Sequence, residues 1–518
     1  MGIPELHWST QLAYPILTSI QLLPLIAILA TLVLRNSRVL LATGILFALA
    51  ELVLTINLYY ALEGKTAGLQ LSERFVLLHP LVYHAAVDGI SVLFMLMTSV
   101  LTLLIVLYAH ARKVEHLAKF LAFVFAIEAS LQSLFCTQDI LWFTLASAAE
   151  IILIAYVLKH WANAPKEELA LHRYLQFMGT GLLLLFLGVF ILGWNYAELH
   201  NGVWSFELHN LMGQPLPETL SVAIFFLLFY GLAIRIPLFP LHGWLPLIAE
   251  HGTVAVAGVF LLGLKTGIYG LLRFVFPLVP DAVKAWNEWV IAFAVIGIFY
   301  AALLALMQTN MRRLLAFAVV SHTSVVVIGL FTLNNLGFQG GIMLSVNFGL
   351  ATAGLLFMTG FIYRRTRTLS LPRLGNLFDQ FPVIGTAFLI AGLSIIGMPG
   401  TPGFDAAHLM MEASIQRFGA LVTIAAALGN VAAAGFLLWS FQRAFLTPPA
   451  IEPKTRKLEP ATLMERVMAI AVIVMLLGVG FYSEPWLKLI ESSLGGLNAI
   501  YSGTEIPADG IVPQHSID

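Results

Sequence analysis

Hydrophobic residues in this chain come in long, nearly unbroken runs joined by short polar connections. A helix needs roughly 20 apolar residues to cross a hydrocarbon layer, and the runs divide into about fourteen such segments. They lie near 15–34, 39–61, 88–110, 117–136, 138–158, 174–194, 219–239, 253–273, 284–306, 313–334, 336–363, 380–400, 415–445 and 463–482. The runs at 336–363 and 415–445 exceed one crossing, which predicts tilting or bending there. The pattern predicts an all-α polytopic membrane protein.

Two runs are interrupted. In span seven, "GLAIRIPLFPLHGWLP" (231–246) sets Arg235, Pro237, Pro240, His242 and Pro246 inside an apolar segment. In span twelve, "IIGMPGTPGF" (395–404) does the same with proline and glycine. Proline removes a backbone donor and stops a helix. The polar groups freed by a break must be satisfied by protein or water, so breaks mark a polar interior. These two lie five spans apart. A repeat of five helices inverts in the membrane, and paired broken helices in inverted repeats point to a transport pathway.

Composition narrows the function. The chain has 518 residues, 59% hydrophobic and 11% charged, with a net charge of −1. This is no ordinary soluble domain, and it has no basic footprint for nucleic acid. Cys136 is the single cysteine, which excludes a disulfide framework and suggests no metal cluster. The N-terminal "MGIPELHWST" lacks a basic region and a small-residue cleavage site, so the first run is expected to be a retained span.

Basic residues cluster in alternate loops. Arg35 and Arg38 follow span one, Arg112, Lys113 and Lys119 span three, and Lys159, Lys166 and Arg173 span five. Arg312 and Arg313 follow span nine; Arg364, Arg365, Arg367 and Arg373 follow span eleven; Lys454, Arg456, Lys457 and Arg466 precede span fourteen. The other loops hold only Lys65, Arg74, Arg273, Lys284 and Arg417. The positive-inside rule then puts both termini on the non-cytoplasmic side of the cell's inner (plasma) membrane. The loop after span seven belongs to the cytoplasmic set yet has no Lys or Arg.

Charged side chains at mid-membrane cost about 2.5–3.5 kcal/mol each on insertion scales. Four stand out: Glu128 in span four, Glu150 in span five, Arg235 at the break of span seven and Lys265 in span eight. His322 in span ten is a fifth polar point, of a residue type that titrates near neutrality. Glu150 facing Arg235 would be a carboxylate held charged by its neighbour, and the charge on one site would bias the next. That describes a proton relay; static ion pairs between helices are the alternative. Asp88 reads as an interfacial cap of span three, and Glu128 is divided evenly between relay and packing.

Several segments resemble the antiporter-like, proton-translocating subunits of respiratory complex I (NADH–quinone oxidoreductase), related to Mrp antiporter and membrane-bound hydrogenase subunits. The motifs are "VDGISVLF", "IRIPLFPLHGWLP", "LLGLKTGIYGLLRF", "LMQTNMRRLLAFAVVSH" and "IIGMPGTPGF". The likeness runs from about residue 80 to 445 and is nearest to the subunit M type. It implies fourteen helices. Residues 1–110 would carry helices one to three, and 117–273 and 284–445 two inverted five-helix repeats. Helix fourteen would lie at 463–482, and 483–518 would be a tail.

The resemblance also implies site residues. Glu150, Lys265 and His322 match the family's relay in spans five, eight and ten. Arg235 stands where the family has a lysine, and arginine does not release its proton. The usual span-twelve glutamate falls at or beside Ala407, with Asp405, His408 and Glu412 nearby but out of register. Asn347 replaces a histidine of span eleven, and His242 lies in the span-seven break.

The implied function is proton conduction within a multisubunit complex in the lipid bilayer. Other membrane subunits would be partners, with a quinone-reducing module or a large cytoplasmic protein beyond them. No cofactor is expected on this chain: no flavin, iron–sulfur cluster or nucleotide. The competing readings are a proton-coupled partner in inorganic-carbon uptake or cation/proton antiport, and a non-conducting scaffold.

Overall fold

The structure is a computed structural model that describes residues 5–34, 36–62, 68–78, 81–162, 167–251, 265–450 and 458–502. Twelve described helices are long and apolar enough to cross a membrane, and two shorter apolar ones, Thr266–Leu278 and Pro382–Ile396, lie in the places of spans eight and twelve. The start of span eight, from 253 to 264, lies outside the described residues. Spans one to six are Ile16–Val33, Ser37–Ala61, Gly89–Arg112, Leu117–Cys136, Ile140–Trp161 and Glu167–Leu199. Spans nine, ten, eleven and fourteen are Pro280–Leu306, Met311–Leu330, Asn335–Thr366 and Leu463–Phe481.

Local sequence sets several helix starts. Orphan N–H groups at a helix N-terminus need an acceptor, which Asp, Asn or Thr can supply. Asp88 accepts from Ser91 N at 2.9 Å, Asp139 from Trp142 N at 2.8 Å and Asn334 from Gly337 N at 2.8 Å. Thr462 and Glu465 close a reciprocal capping box on span fourteen. The expectation that Asp88 caps span three holds, and Asp88 also pairs with Arg273 of span eight at 2.7 Å.

Both interrupted runs are broken helices. Span seven is helical over Glu218–Arg235, irregular through the prolines, and helical again over Leu245–His251. Span twelve is Pro382–Ile396, then a turn at the left-handed Gly397 and Gly400, then Pro402–Phe418. The latter half corrects one predicted boundary. Span thirteen starts at Ala420, not 415, because Gly419 (φ +74°) ends the preceding helix inside a continuous apolar run.

Packing runs in parallel through the two halves. Span four packs on five, five on six, and six on both pieces of seven; nine packs on ten, ten on eleven, and eleven on both pieces of twelve. Two copies of a five-helix unit would give this shared order. Span eleven is the centre: its most apolar stretch is 100% buried, against 28% for spans two and fourteen.

A small sheet went unforeseen. Strands β1 (Glu5–His7), β2 (Leu69–Leu78) and β3 (Leu81–Val87) lie in that order, β1–β2 parallel and β2–β3 antiparallel. Bridges Ala85–Thr137 and Asp139–Glu207 extend it to the loops after spans four and six. A charge cluster clamps these loops. His84 meets Glu207 through Nδ1 at 3.0 Å and Glu5 through Nε2 at 3.2 Å. Arg74 donates to both Glu207 oxygens at 2.8 Å.

Burial pulls the His84 imidazole down, but Glu207 and Glu5 outweigh it and hold it up at about 9. Burial pushes the Glu207 carboxyl up, yet His84 and Arg74 bring it down to about 2. His84 therefore stabilises the fold fully below its ordinary 6.5, and that contribution is lost as pH rises through about 9. Glu207 stabilises above its ordinary 4.5, and that contribution is lost as pH falls through about 2. We expect His84→Ala to cost roughly 1.5–3 kcal/mol. The loss should show in thermal melts of the purified protein between pH 4.5 and 6.5 and shrink above about 9.

Candidate proton-conducting site

The site begins where span seven stops. Arg235 is the last residue of Glu218–Arg235, and its Nη2 donates to Glu150 Oε2 of span five. Both are inside the protein, Arg235 at 4% exposure and Glu150 at 1%. A cation at a helix C-terminus sits beside free carbonyls and the negative end of the dipole. The break is held by Trp244, whose indole N–H donates back to Ile234 O at 3.0 Å. Tyr174 of span six lies within electrostatic range of both charges. Ser147, one turn before Glu150, has a buried hydroxyl with no protein partner.

The next member sits against the break. A Cβ on Gly267 would fall 2.5 Å from Ile236 Cγ1 and 2.9 Å from Leu232 O, so only glycine lets span eight approach the end of span seven. Lys265 stands two residues before Gly267 and is 6% exposed. Lys265 and His322 line one small cavity of about 10 Å³, room for about one water molecule. Thr323, Phe348, Gly349, Thr352 and Ile395 complete much of the wall. Gly349 clears the lysine stem: a Cβ there would lie 3.4 Å from Lys265 Cε and 2.6 Å from Met97 Sδ.

His322 is 2% exposed, packs on Phe348 at 4.8 Å between ring centres, and has no hydrogen-bond partner on either ring nitrogen among the described residues. An unsatisfied buried polar group costs about 1–3 kcal/mol, so such a ring is suited to exchanging a proton or a water. Ile395 carries the cavity wall to the edge of the span-twelve break. The row therefore runs from one helix break toward the other.

The remaining predicted residues fall outside this row. Asn347 is satisfied on both side-chain ends by span twelve: its Nδ2 donates to Ser394 O at 3.0 Å, and Ser394 Oγ donates to its Oδ1 at 2.6 Å. It braces the break and carries no free proton site. Asp405 is half-buried and accepts from Ser483 Oγ, beyond the break. His408 and Glu412 are exposed on Pro402–Phe418. None of the three replaces the carboxylate missing at Ala407. His242 is buried in the span-seven break against Tyr300 and Phe317, with Nδ1 unpartnered.

Glu128 is wholly buried among spans two, three and four, and its companion there, Glu51, escaped the sequence reading. A lone Glu in the apolar run of span two was the available signal. Tyr174 was missed as well, since a tyrosine in a membrane helix carries no charge to mark it.

The chain is 27% identical over 495 residues to the liverwort Marchantia polymorpha NADH-ubiquinone oxidoreductase chain 4, covering 93% of this chain and 97% of that one. It is 28% identical over 425 residues to NADH-quinone oxidoreductase subunit M of Escherichia coli K12, covering 80% and 82%. Among solved structures, a chain of respiratory complex I from Thermus thermophilus with bound NADH superposes with a TM-score of 0.82 at 26% identity, covering 93% and 99%. Residues 137–433, more than half of the chain, match the description "NADH:quinone oxidoreductase/Mrp antiporter, TM". This polytopic membrane protein belongs to the NADH:quinone oxidoreductase/Mrp antiporter membrane family.

Proposed function

We propose that the chain is a proton-conducting subunit of a complex I-type NADH–quinone oxidoreductase, of the subunit M kind, working beside other membrane subunits. The observation that carries this is the buried row Glu150, Arg235, Lys265 and His322, drawn from spans five, seven, eight and ten and starting at a helix break. Relatives matched over most of their length carry the names of that enzyme's subunit M or chain 4. Residues 117–273 and 284–445 are the two inverted repeats of this reading. The bias of basic loops supports termini on the non-cytoplasmic face of the plasma membrane.

The roles follow from chemistry. Glu150, Lys265 and His322 can each bind and release a proton. Arg235 keeps its charge, so it acts by position. Paired with Glu150, it holds the carboxylate ionised. If it swings away, Glu150 is left as a lone charge in a dry site and draws a proton. The added positive charge then disfavours a proton on Lys265 and pushes it toward His322 and the cavity. At span twelve the onward step passes beside the Asn347–Ser394 bridge and relies on water, because among the described residues no buried carboxylate replaces the one missing at Ala407.

Proton flux in vesicles containing the assembled complex tests this. Glu150→Gln should lower flux roughly a hundredfold or more, in the range of a lost acid–base group. That change strands Arg235 and should destabilise by about 3–5 kcal/mol. Glu150→Gln with Arg235→Gln should recover the stability and not the flux. Lys265→Arg, which keeps the charge but cannot give up a proton, should be as slow as Lys265→Ala. Undiminished flux in either Lys265 variant would refute the relay.

A second prediction concerns Gly349. Its added methyl would press on the flexible Met97 side chain and fill the space beside the lysine stem. Gly349→Ala should fold and conduct several-fold more slowly, and Met97→Ala in the same chain should restore the flux.

A further inference from the structure

Span two touches the rest of the protein along one narrow stripe: Leu40, Gly44, Ala48, Glu51, Thr55 and Leu58. Spaced three or four residues apart, these positions form a single helix face. Glu51 stands in the middle of that face, 1% exposed, and points inward. Glu128 of span four, 0% exposed, lies within electrostatic range of it. None of the four carboxyl oxygens has a hydrogen-bond partner among the described residues. The Thr102 hydroxyl of span three, fully buried, comes close to Glu128 and is likewise unpartnered.

The groups packed around them offer no counter-charge. Span one carries no titratable residue. Thr55 spends its hydroxyl on the backbone of Glu51 and Leu52. On span four, Gln132 is turned to Ser99 and Met95 O. Glu150 of span five is committed to Arg235. Among the described residues, no Lys, Arg or His acts on either carboxyl.

Two anions with no cation cannot both be held away from water, where even one costs several kcal/mol. Two carboxyls at close quarters resolve this by keeping protons and sharing them. We propose that Glu51 and Glu128 form a proton-sharing carboxyl pair, a second protonation site in the membrane lying off the Glu150–Lys265–His322 row. Fully loaded, the pair is two neutral acids. Losing one proton to water leaves one negative charge, which disfavours loss of the second proton through its field, and the Thr102 hydroxyl is free to donate to the charged carboxylate. The pair takes up and gives back that proton as a unit. The site is a property of the protein at rest and does not require the relay to work.

Infrared spectroscopy of the full chain in lipid nanodiscs tests this across a pH series, because a neutral carboxyl has a C=O band distinct from that of a carboxylate and shifted in heavy water. The variants are Glu51→Gln, Glu128→Gln and the double change; each is nearly isosteric and leaves the stripe packed. The native chain should show buried neutral-carboxyl absorbance at neutral pH. Each single variant should remove part of it and also shift the band of the surviving carboxyl, and the double variant should remove both. The pair is refuted if the bands are absent, if they survive the double variant, or if each single variant leaves the other band and its pH response unmoved. Loss of the bands on adding sodium at fixed pH would also refute it, by making the site one for a cation. Flux through the row is not read in this experiment, so its outcome stands apart from the test of Glu150 and Lys265.

Discussion

A charge in hydrocarbon needs another charge or exposed backbone beside it, and the contact between Arg235 and Glu150 supplies both at one place. The prolines that follow Arg235 stop its helix, which leaves carbonyls at the end where a cation is favoured. Glu150 completes the neutralisation from span five. Helix break, cation and carboxylate are thus one solution to one constraint. Removing any of the three would leave the others buried at a cost of several kcal/mol.

Glycine brings the remaining helices to that point. Gly181 of span six and Gly231 of span seven face each other so closely that a Cβ on either would sit within 2.9 Å of the other's carbonyl oxygen. Gly267 does the same for span eight. In the second half, a Cβ on Gly340 of span eleven would meet the Ala406 carbonyl at 2.8 Å, and Gly403 closes on Ser394. Close backbone approach over small residues is how membrane helices pack when lipid offers no hydrophobic drive. Here it also sets the spacing of the charges.

Much of this was legible in the sequence because the signals are strong and local. A run of apolar residues is long or it is not, and an arginine just ahead of prolines in such a run must be answered. Glu150 and Arg235 could be paired on those grounds, and Lys265 and His322 stood out as polar points in the same kind of run, with the resemblance placing all of them on one relay. The sheet was invisible to a ruler made for helices: "QLSERFVLLHPLVYHAAV" is short, interrupted by polar residues and paired across distant loops. The polar residues of Pro402–Phe418 drew notice by charge alone, and only the fold showed that His408 and Glu412 turn outward. Glu51 was passed over because a single carboxylate on a peripheral helix gives no hint of a companion 77 positions away at Glu128.

The exchange of lysine for arginine at the junction reduces the number of electrical states it can visit. With a lysine there, either partner could be neutral or charged, giving four combinations and net values of −1, 0 and +1. With Arg235 the cation is constant, so the junction is either 0 or +1 and is never negative. In the proposed relay Lys265 would therefore face a neighbour that is silent or repulsive, with no attractive setting in which its own charge would be trapped.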